Sequence, residues 1–581
     1  MKKTGAELVR FALEQIGVRF TFGIPGVHNT EIYDQLAGSE TITPIRVSHE
    51  CGGAFMADGM SRVADHIGTL LIVPAAGAAL AAGGIGEAFL DGIPMLVIAG
   101  GTRTDTGRRY QLHEIDQLKM VEAITKARWR VTEHRDIVPT LYEAYRVATS
   151  GEPGPVFVEI PVNIQLFPGE IDALPPFEPV YERRGPDGIA VDRAASLLQA
   201  ARRPGLFLGW GARDASDLAI RIAEVLEAPV ATTLQGLSVF PANHPLHTGM
   251  GIGPAAVPAA ENAFRDCDVL LAIGTRFGEI ATGSFGIEAS WKLIHSDINP
   301  HVFNANYPAE VAIEGDARRV LQALLDRLQQ APAVARDGKA LRAKIARDKE
   351  AYLREWLAHD SKGRVNPARF FQALRGALPD DTYAVVDDGN HTFLAAELFP
   401  VHGCKRFLSP TDFNCMGYCV PAAIGVRLAH PDKPVIGIVG DGAFLMTGLE
   451  ILTAAELGLG IVYYVFNDGE LSQISQAQTL PYNRKACTVL PTVRIRGIAE
   501  ATGAAYLRLE NDAAITSTIE AAMREAAQDR PVIVDVNIDY SKQTRFTKGI
   551  LKTNLDRLAL SDKLRIAGRA LWRRVVPPEN A

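Results

Sequence analysis

Two stretches of the sequence place acidic residues where they could do chemistry. VIGIVGDGAFLMTGLEILTAAELGLGIVYYVFNDGELSQI, residues 435–474, has an apolar strand run ending in Gly440-Asp441-Gly442, a helical pattern, and a second run ending in Asn467-Asp468-Gly469. In a parallel sheet both strands emerge at the same edge, where open α/β folds bind their ligands. Asp441 and Asp468 could there reach one hard cation together with a backbone carbonyl, while the glycines let a diphosphate approach the following helix N-terminus. Gly-Asp-Gly alone is as readily a bare turn; the Asn-Asp pair after a second strand makes the pattern specific. The other stretch, VSHECGGAFMADG, sets Glu50 between a short strand pattern and a run of small and apolar residues. Read in isolation, Glu50 is a charge that complements a helix dipole. A role in proton transfer requires a second constellation elsewhere in the chain.

The elements that would position these residues are repetitive. Apolar runs such as TLLIV (69–73), MLVIA (95–99), VFVEI (156–160), LFLG (206–209) and VLLAIG (269–274) alternate with helical patterns, as doubly wound parallel sheets require. Two punctuated stretches, 166–188 and 329–356, read as linkers. The chain of 581 residues is 47% hydrophobic and 22% charged, enough for about three or four domains at roughly 150 residues each, with the composition of an α/β enzyme. A net charge of −7 argues against nucleic acid as the partner. Cys51, Cys267, Cys404, Cys415, Cys419 and Cys487 lack a pairing rhythm, and Cys415 and Cys419 lack the further ligands of a metal site, so a reducing cytoplasm is expected. MKKTGAELVRFALEQIGV reads as an amphipathic first helix rather than a signal peptide. The uncharged stretch 68–86 is interrupted by Pro74 and glycines, which makes it a poor membrane span.

The Gly440-Asp441-Gly442 and Asn467-Asp468 pattern resembles the diphosphate-binding motif of thiamine-diphosphate enzymes. The resemblance implies that magnesium bridges the cofactor diphosphate to Asp441, Asp468 and the carbonyl of Glu470, with Gly440, Gly442, Ala443 and Leu471 beside the diphosphate. Most members of that family have asparagine in place of Asp468, so Asn467 is an alternative ligand. The resemblance also gives Glu50 a task. In that family a first-domain glutamate exchanges a proton with the aminopyrimidine ring of a cofactor whose diphosphate sits on the third domain of a partner subunit. FNCMGYCVPAAIG (413–425) matches the stretch that wedges the cofactor into its bent form, which implies that role for Met416, with Asn414 beside it; otherwise Met416 reads as core. DDGNHTFLA (387–395) matches the diphosphate-side loop, implying contacts from Asn390 and His391 that would otherwise be a surface turn.

The resemblance is strongest to the large subunit of acetolactate synthase, over roughly residues 1–540, through FGIPGVHN, HECGGAFMADGMSRV, GEAFLDGIP, EPGPVFVEIP, GTRFGEIATGSF and MGYCVPAAIG. The implied fold is α/β: three doubly wound parallel-sheet domains of the thiamine-diphosphate enzyme type plus a helical C-terminal tail. Residues 1–180 would bind the pyrimidine, 188–345 form the central domain, 360–541 bind the diphosphate, and 542–581 form a basic amphipathic tail. The departures bear on substrate. Ile280 stands where those synthases have an arginine for the acceptor carboxylate, and an apolar side chain cannot form that charge-assisted pair. Ala477 replaces their pocket tryptophan. Ile474 stands where pyruvate decarboxylases keep a glutamate that protonates the intermediate, and Gln473 lies beside it. His28 in FGIPGVHN and His113 in YQLHEID are candidate proton carriers near neutrality, with Gln111 a weaker candidate; each is equally readable as a residue hydrogen-bonded in a loop. The turn at Ala75–Leu80 lacks the family's asparagine, and nothing in the sequence replaces it.

In the central domain Gly209-Trp210-Gly211 and Glu152 depart from the flavin contacts of the resembling proteins, so FAD is expected to be absent or weakly held. The expected function is decarboxylation of pyruvate or a related 2-oxo acid with transfer of the acyl anion to a ketone, aldehyde or second keto acid. Alternatives are acetolactate synthesis, then simple decarboxylation or C–C hydrolysis or lysis, and last a silent homologue. The partners expected are that small-molecule donor and acceptor and further copies of the chain, as a homodimer or homotetramer with active sites between subunits. The tail carries ten Lys/Arg against three Asp/Glu from residue 541, and Leu555, Leu558, Leu564, Leu571, Trp572 and Val575 could form an apolar stripe. Such a helix can lie on an anionic membrane, but a lid or packing role is the favoured expectation.

Overall fold

In the computed structural model, residues 1–179, 185–332 and 334–575 are described. Three six-stranded parallel sheets follow one another along the chain. The first contains β2 (Phe20–Gly23), β3 (Thr43–Arg46), β4 (Gly68–Ile72), β5 (Met95–Gly101), β6 (Ala127–Arg130) and β7 (Pro155–Pro161), in the order β3-β2-β4-β5-β7-β6. A short antiparallel pair, β1 (Lys2–Thr4) with β8 (Pro168–Glu170), ties the chain start to the end of this domain. The second sheet runs β11-β10-β9-β12-β13-β14, with β9 at Pro204–Leu208, β10 at Val230–Thr232, β11 at His247–Met250, β12 at Val269–Ile273, β13 at Lys292–Asp297 and β14 at Val311–Glu314. The third repeats the first topology as β16-β15-β17-β18-β20-β19: β15 (Tyr383–Val386), β16 (Phe407–Leu408), β17 (Val435–Gly440), β18 (Val462–Phe466), β19 (Ala505–Leu509) and β20 (Val532–Val536).

The central strands are apolar because helices cover both faces of each sheet, so their side chains are buried whichever way they point. All five residues of β4, β12, β18 and β20 are buried. The first and third domains share one core through the helices Glu50–Val63 and Cys419–Ala429. Small residues permit their close crossing: a Cβ on Gly59 would lie 2.6 Å from the carbonyl oxygen of Ala422, and one on Gly425 would strike that of Met56. Charges fill the rest of this contact. Buried Arg62 pairs with Asp58 at 2.6 Å and Asp91 at 2.8 Å, and Tyr418 donates to Asp58 at 2.6 Å. Glu87 accepts the backbone N–H groups of Thr411 (3.2 Å) and Cys415 (2.9 Å), holding the 411–418 loop against the first domain.

The tail is helical at Arg545–Arg557 and Leu560–Val575. Its first helix inserts Phe546, 3% exposed, which stacks on Phe393 with ring centroids 4.1 Å apart. The second packs on the helix Ser472–Tyr482: Arg569 donates to the Pro481 carbonyl at 3.0 Å, and Arg573 to that of Tyr482 at 2.9 Å. The expected single stripe does not form. A break at Leu558 separates the two helices, and Leu564, Leu571 and Trp572 remain exposed on the outer face. The Val575 side chain and residues 576–581 lie outside the described residues. No helix among the described residues is long and apolar enough to cross a membrane.

Candidate active site

At the carboxyl edge of the third sheet, β17 and β18 are adjacent, with Gly440 opposite Phe466. Asp441 opens a short helix and its carboxylate accepts the N–H of Gly442 at 2.8 Å and of Gly469 at 2.7 Å, so the two loops are locked together. Asp468 accepts from the Ser472 hydroxyl through Oδ2, while its buried Oδ1 has no partner among the described residues. Burial pushes both carboxyls above their ordinary range, Asp468 to about 6, with Asp441 and Glu470 adding to the shift. A buried and a half-buried carboxylate at one sheet edge, one with an orphaned oxygen, fit a hard divalent cation, which would repay their desolvation. Glu470 turns its side chain away to Ser475 (2.6 Å) and Lys485 (2.7 Å), leaving its main-chain carbonyl as the group for such an ion. Asn467 donates from Nδ2 to Asp535 at 3.0 Å, a contact that engages only its amide nitrogen and leaves the alternative-ligand reading of its oxygen open.

Asp387 at the end of β15 organises the neighbouring loop. It accepts the N–H groups of Gly417 (2.9 Å), Cys419 (2.8 Å) and Asp388 (2.9 Å), tying DDGNH to the Met416 segment. Gly389 has φ +145°, a conformation that favours glycine, and Asn390 starts the next helix. The His391 ring packs on Gly440, where a Cβ would come within 3.0 Å of Cε1. Burial pushes its pKa down to about 3, and Nε2 is buried with no partner among the described residues. The ring donates to the Asp387 carbonyl, so the neutral imidazole presents Nε2 beside Gly440 as an acceptor for a ligand O–H or N–H. Met416 and Leu471 close over Gly442; a Cβ there would be 3.7 Å from Met416 Cε and would strike Leu471. Asn414 hydrogen-bonds Asp388, and Ala443 is buried.

Glu50 begins the helix Glu50–Val63 and is 7% exposed, with His49 as the N-cap accepting the N–H of Cys51 at 3.1 Å. His49 thus takes the capping task that a bare reading gives to Glu50. The Glu50 carboxylate faces Tyr33 and the turn at Gly77. Glu450, from the third domain, was not legible in the sequence: its carboxylate accepts the N–H of Ser48 at 2.9 Å and the Thr453 hydroxyl at 2.7 Å, clamping the segment that leads into Glu50. The neighbouring turn contains Ala75 at φ +56°, a strained conformation for a residue with a Cβ. Its N–H is held by Gln117 at 3.3 Å. Leu80, in place of the expected asparagine, is exposed.

His28 and His113, 85 residues apart in sequence, meet edge to face with ring centroids 5.2 Å apart. Burial and the facing His113 hold the His28 pKa below its ordinary value. Gln111 is not brought to this pair as a free group; its amide donates to the carbonyls of Arg103 (2.8 Å) and Arg108 (3.2 Å), closing their loop. On the helix Ser472–Tyr482, Ile474 is 52% exposed and Ala477 is also exposed, while the Gln473 Oε1 is buried without a partner among the described residues. Ile280 is half-buried against a core containing Phe277 and Tyr307. Its loop begins at Arg276, which pairs with Asp412 of the third domain and with Glu152 at 3.5 Å.

Trp210 lines the central-domain cleft and is 5% exposed, with its indole beside Arg62 and Arg213. The cleft, of about 490 Å³, lies at the ends of β9 and β12. Its acidic wall is as the sequence suggests, with Glu152 accepting from Asn299 and raising, with burial, the neighbouring Asp297 to about 6.

Comparison with known proteins decides the family. Three family models match in succession: thiamine pyrophosphate enzyme, N-terminal TPP binding domain, over residues 3–120; the central domain over 191–324; and the C-terminal TPP binding domain over 387–536. The chain belongs to the thiamine pyrophosphate enzyme family. The enzyme is 32% identical to the acetolactate synthase large subunit of Corynebacterium glutamicum, over 93% of this chain and 88% of that one. It is 33% identical to the probable acetolactate synthase large subunit of Methanocaldococcus jannaschii, over 84% and 83%. It is 34% identical to the probable 2-ketoarginine decarboxylase of Pseudomonas aeruginosa, over 81% and 83%.

Proposed function

We propose that the enzyme decarboxylates pyruvate or a related 2-oxo acid and joins the acyl unit to a ketone, aldehyde or second keto acid. The observation that carries this reading is the face of the helix Ser472–Tyr482, where Ile474 and Ala477 stand exposed in place of an acid or a bulky ring. Without an acid at that point, protonation to release an aldehyde is slowed and a second carbonyl can compete. Thiamine diphosphate, when bound, supplies the electron sink that stabilises the acyl carbanion. Asp441, Asp468 and the Glu470 carbonyl would hold magnesium and, through it, the diphosphate, with His391, Asn390 and the glycines at 440 and 442 beside them. Met416 and Leu471 would pack against the bound cofactor. Glu50, largely buried, would hold and return a proton at the aminopyrimidine. The His28–His113 pair would supply the proton that the acceptor oxygen takes up.

Several exposed apolar residues surround these groups, among them Val27, Leu80, Phe413, Met446 and Leu449. A soluble chain rarely leaves such a surface bare, and a second copy of the chain is the occupant that would also unite Glu50 with Asp441. The enzyme is therefore read as a cytoplasmic homodimer or homotetramer, its six cysteines free. Flavin is expected to be weakly held or absent, because Glu152 and Asp297 would face its phosphates.

The test is product analysis by mass after incubation with pyruvate, magnesium and thiamine diphosphate, with and without a ketone. Ketone-dependent adducts are expected; acetaldehyde alone would support simple decarboxylation, a reading favoured by the 34% identity to a probable 2-ketoarginine decarboxylase. Ile280→Arg should raise acetolactate relative to ketone adducts by roughly 10-fold, the low end of the value of one charge-assisted contact. An unchanged ratio in an active variant would remove Ile280 from acceptor selection. Deleting residues 545–581 uncovers Phe393 and frees the helix Ser472–Tyr482, and should lower kcat roughly 10-fold by loosening the closed site. Liposome affinity should not change; salt-sensitive vesicle binding lost on deletion would show that the exposed Leu564, Leu571 and Trp572 serve a membrane instead.

A further inference from the structure

Between the second and third domains lies a cavity of about 200 Å³, away from the carboxyl edges that carry the cofactor residues. Its walls include Leu237, Val257, Leu353 and Phe399, and its polar lining is led by His247 and Lys349. Lys349 Nζ donates to the Ala242 carbonyl at 3.2 Å and to His247 Nδ1 at 3.2 Å. An ammonium has three N–H groups, of which the contacts to Ala242 and His247 use two, and burial is the only influence on Lys349, with no carboxylate beside it among the described residues. His247 is 6% exposed, and burial together with Lys349 holds its pKa well below the ordinary value. A neutral imidazole that accepts at Nδ1 must carry its proton at Nε2. That Nε2–H has no partner among the described residues. The cavity thus offers two unsatisfied donors, one of them cationic, against apolar walls.

A half-buried cation without a counter-ion and a buried N–H without an acceptor each carry a cost, and one ligand relieves both. We propose that this cavity is a binding site for a small monocarboxylate with a short apolar body, its carboxylate bridging Lys349 Nζ and His247 Nε2. The other acid of the cavity does not compete for the cation. Glu397 accepts the Tyr352 hydroxyl and the N–H groups of Arg545 (3.2 Å) and Phe546 (2.9 Å). These are the first residues of the tail helix Arg545–Arg557, so the occupant would sit directly behind the anchor of the tail. The volume is below the roughly 300 Å³ at which drug-sized pockets begin, which suits an acid of few carbon atoms.

Titration calorimetry of the cofactor-loaded enzyme with isovalerate, and with isovaleramide as its uncharged isostere, tests the site. Saturable binding of isovalerate at one site per chain is expected, with the amide binding at least about 10-fold more weakly, as loss of a charged hydrogen bond dictates. Lys349→Met should weaken isovalerate to the level of the amide, and Lys349→Arg should restore most of it. Carboxylate bound instead in the active site would be indifferent to Lys349, so equal affinity in wild type and Lys349→Met overturns the proposal. Equal affinity for acid and amide in the wild type, or no saturable binding of isovalerate, overturns it without need of any variant.

Discussion

Glu50→Gln should lower kcat by about 10²- to 10⁴-fold, the span of one general acid–base group, while leaving the fold and cofactor affinity nearly intact. The amide keeps the shape of the carboxylate, and the helix start does not depend on the charge: His49 caps it and Glu450 holds Ser48. What is lost is the ability to take up and return a proton at a largely buried position. The decisive measurement is the rate at which the bound cofactor exchanges its reactive ring proton with deuterated solvent. Wild-type exchange in a folded variant with bound cofactor would mean that Glu50 is only a structural charge.

Asp468→Ala should weaken magnesium-dependent cofactor binding by about 100-fold or more, since it removes both the oxygen ligand and the charge at the proposed ion site, whereas the asparagine usual in the family would keep the ligand. Its signature is opposite in sign without metal. In the metal-free protein the Asp468 carboxyl titrates at about 6, above the roughly 3.9 of an unfolded aspartate. The folded state therefore takes up the proton first, and the stability this group contributes is present below about pH 4 and lost as pH rises through about 6. At pH 7 the metal-free variant should consequently melt above metal-free wild type, whereas magnesium with cofactor should stabilise the wild type far more than the variant. A variant that melts below wild type without metal and still gains fully from magnesium would remove Asp468 from the ion site. Mixing Glu50→Gln and Asp441→Asn chains provides a further check on where the site lies. If each site draws Glu50 from one copy and Asp441 from another, random pairing returns about a quarter of the wild-type sites in a two-fold dimer; no recovery would place both residues in one chain.

The sequence by itself determined the secondary structure that matters for the fold and the order in which it appears. Uninterrupted apolar runs such as VLLAI and VYYVF can be strands only where helices cover both faces, so alternation with helical patterns leads to doubly wound sheets without any tertiary information. It also determined that Asp441 and Asp468 share an edge, because parallel strands joined by a helix end on the same side. Contacts between residues distant in the chain were decided by the tertiary structure alone. Whether Asn467 reaches Asp535, whether His28 meets His113, and whether Gln111 is free or closes its own loop depend on side-chain directions set by packing against other elements. Glu450 beneath the Glu50 segment and the Arg62–Asp58–Asp91 cluster come from the fitting of the first domain on the third. Trp210 shows the same limit: the sequence gives no sign that its indole sits beside Arg62 and Arg213 along the wall of the central cleft. Local periodicity reports what must be buried; only the assembled core determines what it is buried against.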